Sequence, residues 1–140
     1  MNMKKDTFDM EQYLSSGQLK FVNPAKELRR QRSIIRKIEK DYTFLKQYDL
    51  LFRYVSVWLA YHKVMFTNRM PHKTLITINS TIIQKDIARL VKHRHEVKYK
   101  NKMVNNDLLT ELRKHNEKWK KIVNQIFLNQ NGIEENLNRG

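Results

Sequence analysis

The sequence predicts an all-α fold. Glycine and proline, the residues that most reliably interrupt a helix, are absent from 25–70 and again from 72–131. Only 3 of the 140 residues are glycine and 30% are charged, which is typical of helix-rich chains and unlike a β-sandwich or barrel. We therefore expect a long antiparallel helical hairpin, with helices over about 24–66 and about 80–128, preceded by a short N-terminal helical arm.

The chain divides into three segments on this reading. The arm occupies 1–23, the hairpin domain 24–131, and a flexible tail 132–140. Within the arm, several apolar residues fall on one side of a short helix that Ser15-Ser16-Gly17 terminates. These apolar residues are Phe8, Met10, Tyr13 and Leu14.

The first long helix has a clear start. Asn23 is a good N-cap, and Pro24 suits the first helical position because its missing N–H would be unpaired there anyway. Beyond it, apolar residues recur every three to four positions and form one helical stripe. The stripe consists of Leu28, Ile35, Ile38, Tyr42, Leu45, Phe52 and Leu59.

The connection between the two long helices is expected at 67–79, with Pro71 as the obligatory bend. The second helix begins at Ser80 or Thr81, because Thr81 followed by Gln84 resembles a capping box. Its apolar stripe runs from Ile83 to Ile126. Two alternatives stay open: one helix to about 128, or a break near 105–107, where Asn-Asn-Asp offers a fresh N-cap.

The two stripes fit each other as an antiparallel pair. Folding the chain back at Pro71 pairs positions whose numbers add up to about 147, so that Leu28 meets Trp119 and Leu45 meets Asn101. This register predicts a polar layer in the middle of the hairpin, near Arg94 and Asn101. A polar layer of this kind fixes register at some cost in stability.

The apolar face of Leu50–Phe66 is broader than two helices can cover, because apolar residues surround most of the helix there. Either the arm or another subunit, including a second copy of the chain, is expected to cover it. The residues predicted to bind a partner are Phe52, Val55, Trp58, Leu59, Tyr61, Val64, Met65 and Phe66.

The net charge of +14, with a pI of about 10.1, predicts a polyanionic partner. Basic side chains along both long helices would contact nucleic acid phosphates. Tyr99, which lies between Lys98 and Lys100, is a candidate stacking platform. The predicted contacts are Arg29, Arg30, Arg32, Arg36, Lys37, Lys92, Arg94, Lys98, Tyr99, Lys100 and Lys102.

Composition also excludes several kinds of site. The chain has no cysteine, so disulfides, thiolate metal sites and iron–sulfur clusters are excluded. His93 and His95 would project about 200° apart on a helix and cannot hold one ion together. We expect neither a metal nor a cofactor.

The location predicted from the sequence is intracellular and non-secreted, because the N-terminus lacks the apolar run of a signal peptide. Cytoplasm and organelle matrix both remain open. The most hydrophobic segment, Leu50–Phe66, contains Arg53, His62 and Lys63, so no membrane span is expected.

Arg89 and His95, separated by five residues, resemble the Arg-x(4–6)-His pair of the helical HEPN ribonucleases. The resemblance implies RNA cleavage across a dimer, with the arginine steadying a phosphate and the histidine near the attacking hydroxyl. Leu90 stands where that family usually has a polar residue.

Three functional hypotheses follow. The leading one is a non-enzymatic, basic helical accessory subunit of a larger assembly that contacts RNA, DNA or another polyanion. The alternative is a purely protein–protein structural subunit of an organellar or viral complex. The third is a small HEPN-like ribonuclease.

Overall fold

A computed structural model describes residues 8–139, with side chains through 130. The described chain is predominantly helical and contains one small antiparallel sheet, which confirms the all-α class. In chain order its elements are α1 (Met10–Ser15), β1 (Leu19–Phe21), α2 (Pro24–Ile38), α3 (Phe44–Tyr61), β2 (Val64–Phe66), α4 (Pro71–Ile82), α5 (Ala88–Tyr99) and α6 (Asn106–Arg139).

The N-terminal arm contains the predicted short helix. Asp9 caps α1 by accepting a hydrogen bond from the backbone N–H of Gln12 at 3.2 Å. Gly17 follows the helix with a φ of +79°, a left-handed conformation that glycine adopts without strain. Strand β1 then pairs with β2, placing Leu19 opposite Phe66. The first seven residues of the predicted arm lie outside the described part of the chain.

The start of α2 is also confirmed. The Asn23 side chain accepts from the backbone N–H of Lys26 at 3.1 Å, and Pro24 occupies the first helical position.

A single helix over 24–66 is wrong, because the chain breaks after α2. The Asp41 carboxylate accepts hydrogen bonds from the backbone N–H of Thr43 at 3.0 Å and from its hydroxyl at 2.8 Å. Thr43 is extended, with ψ at 153°, and serves as the N-cap of α3. A short polar side chain thus ends a helix without glycine or proline, by offering its neighbours an alternative hydrogen-bond partner.

Helix α3 also ends earlier than predicted, at Tyr61. Lys63 has a φ of +70°, which stops the helix and turns the chain into β2. Val64–Phe66, expected to be helical, instead pairs with β1.

The connection predicted at 67–79 is mostly helix. Pro71 begins α4 rather than bending a hairpin, since proline is favoured at the first helical position, and Met70 before it has a φ of +50°. A helix start at Ser80 or Thr81 is therefore wrong, because both residues lie in the last turn of α4.

The second long helix is divided as well. Gln84 has a φ of +57°, and Asp86 accepts from the backbone N–H of Ala88 at 2.8 Å, so that α5 begins there. Of the two alternatives for 105–107, the break is correct. Asn105 caps α6 by accepting from the N–H groups of Asp107 at 2.9 Å and Leu108 at 3.2 Å. Helix α6 continues to Arg139 and therefore includes most of the segment 132–140 that was predicted as a flexible tail.

Helix α3 is the centre of the fold, and α2 and α6 pack against it. The structure therefore does not confirm one hairpin between 24–66 and 80–128. A buried polar cluster exists, but not near Arg94 and Asn101, and Asn101 is exposed with a φ of +52°. Its centre is the Asn79 side chain on α4, whose carbonyl oxygen accepts from Trp119 Nε1 at 2.7 Å and from His115 Nε2.

The apolar face of Leu50–Phe66 is covered by the chain itself. Val55 and Leu59 are fully buried, and Phe8 of the arm packs edge-on against Trp58 with ring centroids 6.2 Å apart. The arm therefore does contribute to covering the face, and the packing does not require another subunit. None of the helices in the described part of the chain has the length and apolar character needed to cross a membrane.

Candidate anion-binding site

Helix α5 lies in a strongly basic part of the chain. Residues 85–102 contain seven lysines and arginines against Asp86 and Glu96. Leu90 and His93 anchor the helix from its buried side. His93 packs edge-on against Phe44, and its Nε2 accepts from the backbone N–H of Asn105 at 2.9 Å. This histidine therefore holds the helix in place and is not available to a ligand.

The centre of the site is Arg94, which joins three helices. Its guanidinium lies 5.5 Å from the ring centroid of Tyr48 on α3 and 5.8 Å from that of Tyr99. It also lies 3.3 Å from Nε2 of His72 on α4. Because a guanidinium only donates, Nε2 accepts, and the proton of this neutral imidazole is on Nδ1, which lies 2.8 Å from the Tyr48 hydroxyl.

The electrostatics of this cluster indicate a positive local potential. Burial lowers the pKa of His72, and the positive charges of Arg94 and Lys98 lower it further, with a smaller contribution from His95. Burial raises the pKa of Tyr48, with Arg94 acting in the opposite direction. Imidazole and phenol are therefore both neutral at pH 7, and Arg94 and Lys98 supply the charge.

Beside this cluster, α3 and α5 enclose an open recess of about 430 Å³, which we call the α3–α5 recess. Asp49 is the only acidic residue in its lining, and it pairs with Arg53 at 3.3 Å. Within residues 8–130, no carboxylate forms an ion pair with Arg94 or Lys98. The lining residues are Leu45, Lys46, Tyr48, Asp49, Phe52, Arg94 and Lys98.

The other residues of α5 and of the loop after it that were predicted to bind a polyanion differ in how accessible they are to a ligand. Lys92, Lys98, Lys100 and Lys102 are exposed, but Lys102 pairs with Glu96 at 3.2 Å. Tyr99 is 62% exposed, with the Lys98 ammonium 5.4 Å from its ring centroid.

Sequence reasoning missed His72, Tyr48 and Lys46. His72 precedes Arg94 by 22 residues and follows Tyr48 by 24, so that only the packing of α4 and α5 on α3 brings them together. We find no local pattern in the sequence that would have indicated this contact.

The predicted basic residues of α2 form a second surface. Arg29, Arg36 and Lys37 are exposed, and Arg30 pairs with the buried Glu27 at 3.2 Å. Arg32 lies over the Phe127 ring of α6 at 5.2 Å. Arg32 and Arg36 line a recess between α2 and α6, which shares no lining residue with the α3–α5 recess. The structure therefore divides the predicted polyanion contacts between two surfaces.

The eight residues predicted to bind a partner are mostly inside the fold. Val55, Leu59 and Val64 are buried and Tyr61 is 50% exposed. The half-buried ones are Phe52, Trp58, Met65 and Phe66. Most of this set is thus used to stabilise the chain.

Arg89 and His95, the HEPN-like pair, have different neighbours. Arg89 lines a recess with Lys85 and Glu111, whereas the His95 ring packs on Tyr99 with centroids 5.0 Å apart. The part of the chain that is described contains no group of three or more histidine, aspartate or glutamate side chains able to hold a metal ion.

Comparison of the chain with protein-family models, curated proteins and solved structures gave no match. Its function must therefore be argued from the geometry of its surfaces.

Proposed function

We propose that this chain is a non-enzymatic accessory subunit of a larger assembly and binds the backbone of nucleic acid at the α3–α5 recess. One observation carries the proposal: Arg94 and Lys98 lie together at this recess with no carboxylate paired to either. A surface cation can be neutralised by a nearby carboxylate, as Lys102 is by Glu96. Two cations without such partners are free to be neutralised by phosphates.

The fixed position of Arg94 favours binding further. The contacts with Tyr48 and His72 hold the guanidinium in place, so that less side-chain entropy is lost when a phosphate binds. A guanidinium has five N–H donors, and one contact to His72 leaves others for phosphate oxygens. Arg94 is also partly buried, which reduces competition from water.

The exposed cations near the recess extend the same surface. Lys46 lines the recess from α3, and Lys100 lies just after α5, whereas Lys92 lines a different recess with Arg89 and Glu96. Each phosphate that they neutralise releases counterions and strengthens the salt dependence of binding. The basic residues of α2 are a further contact surface in this proposal, used when the nucleic acid is long enough to reach it. An intracellular location is also part of this proposal.

The test is fluorescence anisotropy of a labelled oligonucleotide of mixed sequence, titrated with the full chain at several salt concentrations. We expect affinity to fall steeply between about 50 and about 200 mM salt. The double variant Arg94→Gln/Lys98→Gln is expected to weaken binding and to reduce the slope of log Kd against log salt by roughly one to two. The single variant Lys98→Gln changes only an exposed side chain and serves if the double variant folds poorly.

A matched control removes two charges elsewhere. Lys20→Gln/Lys26→Gln changes two exposed lysines that do not line the recess. We expect it to bind nearly as well as the unmodified chain. Equal losses in both double variants would indicate a diffuse charge effect and would contradict a site at the recess.

Other outcomes distinguish the remaining hypotheses. If oligonucleotides do not bind at low salt and an acidic protein co-purifies with the chain, the structural-subunit hypothesis replaces this one. If RNA is cleaved during the titration and His95→Ala abolishes cleavage, the chain is a ribonuclease.

A further inference from the structure

We infer that the ligand of the α3–α5 recess is single-stranded nucleic acid, with one base stacked on Tyr99 while the adjoining phosphates contact Arg94 and Lys98. This inference rests on the proposed function and adds which form of nucleic acid binds. It starts from the exposure of Tyr99, since 62% of this large side chain faces solvent.

The Tyr99 ring is placed among cations and not in the core. The aromatic and cationic contacts of its ring within the described residues come from Arg94, His95 and Lys98, all on α5. These neighbours approach from the helix to which Tyr99 belongs, so the ring is open on the side away from α5. An aromatic ring exposed in this way adds little to folding, but it offers a π-face to a ligand.

Other exposed aromatic rings lack this setting. Tyr42 has the Arg113 guanidinium 4.4 Å from its ring centroid, and Tyr61 lies against His62. Among the cation–ring contacts of the described residues, neither of these rings is approached by Arg94 or Lys98. Tyr99 alone among these three tyrosines combines exposure with two cations near its ring, at 5.4 and 5.8 Å.

The recess next to Tyr99 favours unpaired bases for a second reason. Leu45, Tyr48 and Phe52 give it an apolar and aromatic lining beneath the cations. In a duplex the bases are stacked on each other and paired, so that a flat protein ring cannot reach a base face. A single strand exposes those faces, and base–aromatic stacking combined with a cationic groove is the usual way of binding it without sequence preference.

Tyr99 is the last residue of α5, and the backbone changes direction directly after it. Lys100 is the C-cap, and Asn101 adopts a φ of +52°, which turns the backbone away directly after Tyr99. The segment Lys100–Asn105 is non-helical. Its last residue, Asn105, donates its backbone N–H to Nε2 of His93 on α5. Tyr99 therefore lies at a helix end, where a strand can pass over it without meeting a following turn of α5.

The test compares one labelled strand, alone and annealed to its complement, with three proteins: the unmodified chain, Tyr99→Ala and Tyr99→Phe. We expect the single strand to bind more tightly than the duplex at equal salt. Tyr99→Ala should weaken single-strand binding by roughly tenfold, from the loss of one stacked base, and leave duplex binding within about twofold. Tyr99→Phe retains the ring and should bind like the unmodified chain.

The outcomes separate this inference from the proposed function. If Tyr99→Ala has no effect, or weakens both ligands equally, or if the duplex binds at least as tightly, then stacking on Tyr99 is wrong. Loss of binding in Arg94→Gln/Lys98→Gln would still support the backbone site in that case. If neither ligand binds at low salt, both proposals are wrong. Far-UV circular dichroism of each variant checks the fold, and exposure of Tyr99 leads us to expect no change.

Discussion

Acidification should unfold this chain partly through one buried histidine, His115. The side chain is only 1% exposed, and its Nε2 donates to the Asn79 carbonyl oxygen. That oxygen also accepts from Trp119 Nε1 at 2.7 Å. Nδ1 of His115 has no hydrogen-bond partner among the described residues, so a proton added there would be buried without an acceptor.

The size of the effect follows from the pKa. Burial lowers the pKa of His115 from 6.5 to about 4, with smaller contributions from the charges of Lys85 and Lys118. Because the folded-state pKa is the lower one, the neutral histidine stabilises the fold fully above about pH 6.5, and this contribution is lost as the pH falls toward about 4. A difference of about 2.5 in pKa corresponds to about 3 kcal/mol in total, of which about 2 kcal/mol is lost by about pH 5.

The assay is urea unfolding followed by tryptophan fluorescence at about pH 7.5 and about pH 5. Trp119 is well placed as a probe, since it shares the Asn79 acceptor with His115. The variant His115→Gln can donate from its amide to Asn79 but cannot be protonated. We expect the free energy of unfolding of the unmodified chain to fall by about 2 kcal/mol more than that of His115→Gln over this pH interval.

The control is His95→Gln, which removes an exposed histidine. It should keep the pH dependence of the unmodified chain. Burial also lowers the pKa of His62 and of His72, so some dependence of the same sign remains in His115→Gln. If His115→Gln loses as much stability as the unmodified chain between the two pH values, the buried neutral histidine does not control acid stability.

Four further substitutions test the local structure, each by the urea midpoint at neutral pH. Asn79→Ala leaves Trp119 Nε1 and His115 Nε2 without an acceptor in the core, and it should lower the free energy of unfolding by roughly 3 kcal/mol or more. A loss below about 1 kcal/mol would indicate that the cluster repacks. Asp41→Ala removes the acceptor at the break between α2 and α3 and should lower the urea midpoint. An unchanged midpoint would show that the break does not depend on this side chain. Lys63→Gly should raise the free energy of unfolding or leave it unchanged, because Lys63 has a φ of +70° that glycine adopts without strain. Gly17→Ala should lower it by about 1 kcal/mol, because Gly17 has a φ of +79°. A destabilising Lys63→Gly together with a stabilising Gly17→Ala would contradict these backbone conformations.

The helix starts and stops show what sequence reasoning could reach. Asn23 before Pro24 and Asn105 before Asn106 are strong local signals, and both caps are present. Asp41 and Asp86 likewise accept hydrogen bonds at the starts of α3 and α5, but they stand within apolar stripes that continue on either side. A continuous stripe therefore does not guarantee a continuous helix, because separate helices can each turn an apolar face to the same core.

The candidate site was predictable only in part. Arg94, Lys98 and Tyr99 follow from charge and from the position of Tyr99 between two lysines. Their neighbours Tyr48 and His72 come from other helices, and no helical period relates positions so far apart. The face of Leu50–Phe66 was predicted to be uncovered because the chain was assumed to form only two long helices. Their division into α2 to α6 provides enough surfaces to cover α3 from several sides.

The most direct test of the proposed function is an NMR titration of the isotopically labelled full chain with a single-stranded oligonucleotide at low salt. We expect the largest amide and side-chain shifts at Arg94, Lys98 and Tyr99, with smaller shifts at Tyr48 and His72, and we expect all of them to diminish as salt is added. If the resonances of these five residues do not shift, a nucleic-acid site at the α3–α5 recess is contradicted. This holds both for shifts confined to α2 and for a spectrum that does not change at all.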